Sequence, residues 1–194
     1  MTEPGRAFAA LAALLAAGAL LAWWLPAPMI DWQPALAATE PWRAWTAAFV
    51  HWSAMHLGAN LVGAAVVGAL GWTARVPLRV ALAWAAAWPL TQWGLLLRPE
   101  LAHYGGLSGV LHAGAAAAAL WLVVQGRGRQ RGVGAAILLG ITLKLVHEEP
   151  WGALLRTGGG WDIAVAPLAH ATGAIAGLLC TALALAMKRQ DKTS

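Results

Sequence analysis

Tyr104-Gly105-Gly106-Leu107-Ser108-Gly109-Val110-Leu111-His112 opens an uncharged run that continues to Val124. Residues 107–124 can cross most of the roughly 30 Å of hydrocarbon in a bilayer as a helix. The run begins with a serine between glycines, so it is both a candidate span and a candidate site. Five more runs share its character: residues 7–25, 47–72, 80–97, 132–146 and 163–187. The fold expected is an all-α membrane protein, a bundle of six transmembrane helices in one domain, residues 1–194.

Composition agrees with the runs. The chain has 194 residues, 60% of them apolar and only 11% charged. A soluble domain carries about 25% charged residues. Six spans of about 20 residues use about 120 residues, close to the apolar content. Disorder is excluded, and an ordinary soluble domain is not expected. A single cysteine, Cys180, excludes a disulfide framework and a multi-cysteine metal site.

The net charge of +5 could point to nucleic acid, but the placement of the charges gives a better reason. Arg6, Arg75, Arg79, Arg127, Arg129, Arg131, Lys188, Arg189 and Lys192 fall at one set of span ends, against Arg43, Arg98 and Arg156 at the other. Basic loops stay in the cytoplasm, so both termini are expected there and no nucleic-acid partner is implied. The first run is read as a span rather than a cleaved leader, because Ala35-Leu36-Ala37 lies well past its end. Residues 126–132 read as a cytoplasmic loop. Trp23, Trp24, Trp42, Trp45, Trp52, Trp151 and Trp161 near outer ends, and Trp72 and Trp121 near inner ends, read as interfacial belts. Residues 31–45, with Trp32, Trp42 and Trp45, read as a loop lying in the interface.

Polar groups inside spans are costly, so each is a candidate for function. The second, fourth and sixth runs all enter from the outer side. They carry His51, His56 and Asn60; Ser108; and His170, about two turns in. Three distant segments therefore place polar groups at similar depth. Ser108 fits an N-cap, and it also fits a nucleophile whose helix N-terminus stabilises an anion. His170 fits a histidine bonded across a helix interface, and it also fits a general base for serine. Gly173 and Gly177 share its helix face and let a neighbour approach. Gly109, Ala113, Ala116 and Ala117 form a matching small stripe on the fourth run. His56 and Asn60, at i and i+4, share a face and can both donate to an oxyanion. His51 lies well round that helix and reads as a brace. Lys144 and Glu148, also i and i+4, read as an ion pair or a snorkelling lysine, with a Ser108–Lys144 dyad as a rival. His147-Glu148-Glu149-Pro150-Trp151 lacks the second histidine of a zinc helix, so neither metal nor cofactor is expected.

Trp42-Arg43, His51, His56, Asn60, Gly106-Leu107-Ser108-Gly109 and His170-x-x-Gly173-x-x-x-Gly177 together resemble the rhomboid intramembrane serine proteases. The resemblance spans nearly the whole chain. It implies six helices and a Ser108–His170 dyad without a third acid. It also implies an oxyanion hole of His56, Asn60 and the Ser108 N–H, with the Leu107 N–H as an addition. Trp42 and Arg43 would lie in a half-submerged outer loop, with Gly106, Gly109, His51, Gly173 and Gly177 in support. His112 stands where well-known bacterial members carry a tyrosine that stacks on the histidine. An imidazole there can stack, or it can compete for the serine proton.

Ser108-Gly109-Val110-Leu111-His112 and Lys144-Leu145-Val146-His147-Glu148 resemble the rhombosortase branch. That likeness implies an enzyme of the bacterial inner membrane, opening toward the periplasm. Its partners would be the lipid bilayer and membrane-anchored exported proteins with a Gly-Gly motif, a C-terminal transmembrane helix and a basic tail. The alternatives are a rhomboid-like protein that binds clients without cutting them, and a small transporter. No pair of broken helices supports the transporter.

Overall fold

A computed structural model describes residues 3–190. It contains six long helices: α1 (Arg6–Ala22), α2 (Ala54–Thr73), α3 (Leu78–Trp93), α4 (Ser108–Gln125), α5 (Arg129–Glu148) and α6 (Pro167–Gln190). A two-stranded hairpin, β1 (Arg156–Gly158) and β2 (Trp161–Val165), stands between α5 and α6. Among the described residues, four helical segments are long and apolar enough to cross a membrane. They are Ala54–Thr73, Leu78–Leu97, Ser108–Gln125 and Pro167–Met187. The helix α1 is apolar but has 17 residues, because Pro26 and Pro28 follow it closely. In α5, Arg129, Arg131, Lys144 and Glu148 dilute the apolar content.

Local chemistry sets the helix ends. The Ser53 hydroxyl accepts a hydrogen bond from the His56 N–H, so α2 begins at Ala54. Pro77 precedes α3, and a tight turn at Gly94–Leu97 extends it. Glu149 takes a left-handed conformation (φ 48°) and Pro150 follows, which ends α5. Pro167 opens α6.

Several expected boundaries are corrected. The second run does not enter the helix at residue 47. Ala47–Phe49 form a single 3-10 turn, Val50 is extended, and the helix waits for its Ser53 cap. His51 therefore lies before the helix, not round it from His56. The sixth run loses its first residues to β2, where Ile163 and Val165 suit a strand and Pro167 disfavours helix before it. His170 consequently sits in the first turn of α6, not two turns in. The fifth helix is longer than residues 132–146, since charged residues end an apolar run without ending a helix. It also takes up part of the expected 126–132 loop.

The helix α4 sits in the middle and packs on α2, α3, α5 and α6. Its closest partner is α6. A Cβ at Gly173 would overlap the Gly109 carbonyl, and one at Gly177 would overlap the Ala113 carbonyl. The two small-residue stripes thus meet backbone to backbone, as their spacing implies. A second bond system crosses the bundle: Trp84 Nε1 donates to the Val110 carbonyl at 2.8 Å, and Thr172 Oγ1 to the Thr91 carbonyl at 2.9 Å.

Residues 23–53 fold into short turns packed over one end of the bundle, where α1 finishes and α2 starts. Trp24, Trp42, Trp45 and Trp52 are exposed there. Trp32 is not: it is fully buried in a small core with Ala44, Leu95, Leu101 and Tyr104. The 31–45 segment is therefore tied to the protein rather than simply resting in the interface. Its anchor is Asp31, fully buried, which bonds Arg43 Nη1 at 3.2 Å and His103 Nδ1 at 2.6 Å.

Inserting a β-branched side chain between α4 and α6 is expected to be costly. Gly173→Val should lower stability by about 1–3 kcal/mol, as overpacking does. Gly140→Ala, on an open face of α5, should be neutral or stabilising by about 0.5 kcal/mol. Thermal unfolding in detergent compares them, and equal melting temperatures would contradict the close α4–α6 approach.

Candidate active site

Ser108 is the first residue of α4, and Leu107 precedes it as the cap. No intrahelical carbonyl reaches the first N–H groups of the helix, which face outward with the positive end of its dipole. The approach of α6 to Gly109 brings His170 alongside. Its Nε2 lies 2.9 Å from Ser108 Oγ, although 62 positions separate the two residues. His170 is almost fully buried, with 5% of its surface exposed. The hydroxyl can donate to Nε2 only if the ring proton is on Nδ1.

The Nδ1 side of the ring is occupied. Glu148 Oε2 lies 2.7 Å from His170 Nδ1. Its other oxygen, Oε1, pairs with Lys144 Nζ. The carboxylate accepts, so it selects the tautomer with the proton on Nδ1. The expected dyad without a third acid is thus, in geometry, a chain of three groups. The Lys144–Glu148 ion pair expected from the i, i+4 spacing is present. Lys144 Nζ also lies 3.3 Å from His170 Nδ1, across the ring from Ser108. That position does not suit it to take the serine proton directly. The signal for Glu148 was an acid at the end of a helix, near the start of the run that carries His170, and its i, i+4 lysine masked it.

His112 stacks on His170 with ring centroids 4.4 Å apart and 18° between planes. Its Nδ1 lies 2.7 Å from the Ser108 carbonyl oxygen. A carbonyl only accepts, so Nδ1 of His112 carries the proton. The stacking alternative is the one the geometry adopts, and the bond goes to the backbone rather than to the hydroxyl.

His56 and Asn60 are buried on one face of α2. The Trp52 N–H points at His56 Nδ1 at 3.4 Å, which leaves the proton on Nε2. That Nε2 faces Gly106, where a Cβ would stand only 2.8 Å away, and Asn60 Nδ2 lies 3.9 Å from the same point. Two donors therefore converge beside the backbone just before Ser108. Gly106 has φ +133°, a conformation that L side chains rarely adopt. Its N–H donates to the Ala47 carbonyl at 2.9 Å, which ties this loop to the short turn before α2. Reciprocal backbone bonds join Trp32 and Tyr104 at 2.8 and 2.9 Å. Arg43 holds the same region through Glu40 (2.6 Å) and the Asp31 carbonyl (2.9 Å). Trp42, beside it, is half exposed and makes no comparable tie.

His51 braces the turn rather than the helix. Its Nδ1 lies 3.1 Å from the Phe49 carbonyl, and its ring packs against His56 with centroids 4.7 Å apart. Tyr104 was not singled out in the sequence. It is buried four residues before Ser108, and burial pushes its hydroxyl up to about 12, so it stays a neutral phenol at pH 7.

Ser108, His170, His56, Asn60, Lys144 and Glu148 line a cavity of about 530 Å³ roofed by the hairpin. Ser53 Oγ donates to Asp162 Oδ1 at 2.7 Å, linking the α2 cap to β2. The constellation contains a serine with a base, a group that orients the base, and donors placed for a developing negative oxygen. That set suits acyl transfer.

Among protein families, the rhomboid domain matches residues 38–187, from within the loop before α2 to near the end of α6. A search of curated protein sequences finds no match.

Gly106→Ala is expected to cost about 1–3 kcal/mol from backbone strain and more from the clash with His56. Gly128→Ala, also at a positive φ but in open space, should lose only the strain. Equal losses in thermal unfolding would show that the His56 contact carries no energy.

Proposed function

Because the chain belongs to the rhomboid family, whose members are in general intramembrane serine proteases, we propose that it is an intramembrane serine endopeptidase with Ser108 as nucleophile and His170 as base. The observation that carries this reading is the 2.9 Å contact between Ser108 Oγ and His170 Nε2, beside the paired donors of His56 and Asn60.

The chemistry follows from the geometry. His170 Nε2 takes the hydroxyl proton as Oγ attacks the scissile carbonyl carbon. The carbonyl oxygen becomes negative and accepts from His56 Nε2–H, Asn60 Nδ2–H and the Ser108 N–H, with the Leu107 N–H beside them. Collapse breaks the C–N bond, and the leaving amine takes the proton from His170. Water, or an amine, then resolves the acyl-enzyme with His170 as base again. Gly109, Gly173 and Gly177 serve by letting α4 and α6 approach, and His112 by stacking on the base.

The proposed setting is a bacterial inner membrane crossed six times, with both termini cytoplasmic and the site opening to the outer side. The asymmetry of Lys and Arg supports this orientation. The proposed substrates are membrane-anchored exported proteins with a C-terminal transmembrane helix and a Gly-Gly-type signal, as in the rhombosortase branch. The resemblance of residues 108–112 and 144–148 to that branch supports the choice. No nucleic acid, metal or cofactor takes part.

Ser108→Ala and His170→Ala should each abolish cleavage of a membrane-anchored reporter while the protein stays folded. His56→Ala and Asn60→Ala should each lower kcat by about 10²–10³. Terminal mass spectrometry of exported proteins, with and without Ser108→Ala, identifies the scissile bond. A wild-type protein that binds such reporters but never cuts them would establish the client-binding alternative.

A further inference from the structure

We infer that Glu148 is a positioning residue for His170 and that Lys144 tunes it, so that the catalytic unit is a Ser108–His170–Glu148 triad. This inference rests on the protease reading above. Three observations carry it.

The first is direct geometry. Glu148 Oε2 sits 2.7 Å from the one ring nitrogen of His170 that does not face Ser108. Among the described residues three groups lie within hydrogen-bond distance of that ring, Ser108, Glu148 and Lys144, and Glu148 is the one that carries a negative charge. The other groups facing His170 are Ser108 and the stacked His112 from α4, His56 from α2, and Lys144 from α5; α3 contributes the uncharged Thr91 nearby.

The second is that Lys144 holds the carboxylate and two further features fix the backbone that carries it. Lys144, one turn earlier on α5, pairs with Oε1 and leaves Oε2 for the histidine. Glu149 turns left-handed immediately after it and ends the helix there. Arg156 on β1 donates to the carbonyl of His147 at 3.0 Å and lies 3.5 Å from Glu149 Oε2. The hairpin that roofs the cavity thus also pins the end of the helix that carries Glu148.

The third is burial. The side chain of Glu148 is 19% exposed and that of His170 is 7% exposed, so little water screens the contact. Among the described residues, no other carboxylate pairs with His170.

During attack, the proton leaves Ser108 Oγ for His170 Nε2 while the Nδ1 proton stays between His170 and Glu148. Glu148 is not protonated in the cycle. It selects the productive tautomer and stabilises the transient imidazolium, and Lys144 opposes that cation.

The test uses the full-length protein in detergent and a fluorophosphonate probe, so no natural substrate is needed. Labelling forms the Oγ–P bond and expels fluoride, and His170 takes the serine proton. The second-order labelling rate is measured against pH for wild type, Ser108→Ala, Glu148→Gln, Glu148→Asp and Lys144→Met. Removing the carboxylate makes the histidine easier to deprotonate, so in Glu148→Gln the acidic limb should move to lower pH. Removing the ammonium does the reverse, so in Lys144→Met the limb should move to higher pH. Each shift should be about one pH unit. The plateau rate of Glu148→Gln should fall about 10–10²-fold, and Glu148→Asp should keep the wild-type limb. A merely structural role would not move the limb in opposite directions. Wild-type behaviour of Glu148→Gln, or limbs shifted the same way in both variants, overturns the triad. If Glu148→Gln does not fold, the Lys144→Met limb decides. A folded wild type that the probe never labels overturns the protease reading itself, and the triad with it.

Discussion

The contact on which the rest depends is the close approach of α4 and α6. Two helices with ordinary side chains at their interface sit 8–10 Å apart. Here Gly173 meets the Gly109 carbonyl and Gly177 meets the Ala113 carbonyl, with no room for a Cβ at either glycine. His170 is three residues from Gly173 and Ser108 is next to Gly109. A wider spacing would separate Nε2 from Oγ by more than a hydrogen bond. The close packing of glycine against backbone therefore sets the polar distance.

Around that contact, the reactive polar groups are bonded to neighbours of the right kind, whereas Tyr104 Oη, His51 Nε2 and the Gln92 amide are buried without a partner. Burying an unpaired donor or acceptor costs about 1–3 kcal/mol, and a charge costs more. Ser108 is bonded to His170, His170 to Glu148, Glu148 to Lys144, and His112 to the Ser108 carbonyl. The outer loops obey the same rule at Asp31, which would be an isolated buried carboxylate without Arg43 and His103. These loops matter to the site because they hold Gly106, and Gly106 leaves the space that His56 and Asn60 face. The fold thus joins two rigid systems, an apolar helix pair and a hydrogen-bonded loop cradle, and Ser108 lies where they meet.

Much of this was legible in the residues. The apolar runs marked the helices, the small-residue stripes marked the pair that packs closely, and the polar residues left inside spans were few enough to find. What failed to show did so for physical reasons. An uncharged run reports hydrophobicity and not backbone conformation, so the turn at Ala47–Phe49 and strand residues 163–165 were absorbed into helices. Trp32 reads as interfacial because tryptophan suits both the interface and the core, and only its neighbours decide which. Glu148 reads as the partner of Lys144 because an i, i+4 pair is a local feature. Its second bond, to a residue 22 positions away, is not local.

By itself the sequence determined the solvent, the helices and the stock of reactive groups. Hydrophobicity is additive along the chain, and helical spacing assigns small and polar residues to faces without reference to anything distant. Only the tertiary structure decided which nitrogen of His170 meets Ser108, that a carboxylate meets the other one, and that His112 stacks and bonds to backbone. Those outcomes depend on how α2, α4, α5 and α6 are placed against one another, where side-chain contacts of 2.7–3.3 Å decide the partner. Such distances arise when the helices pack, and no periodicity within a single helix encodes them.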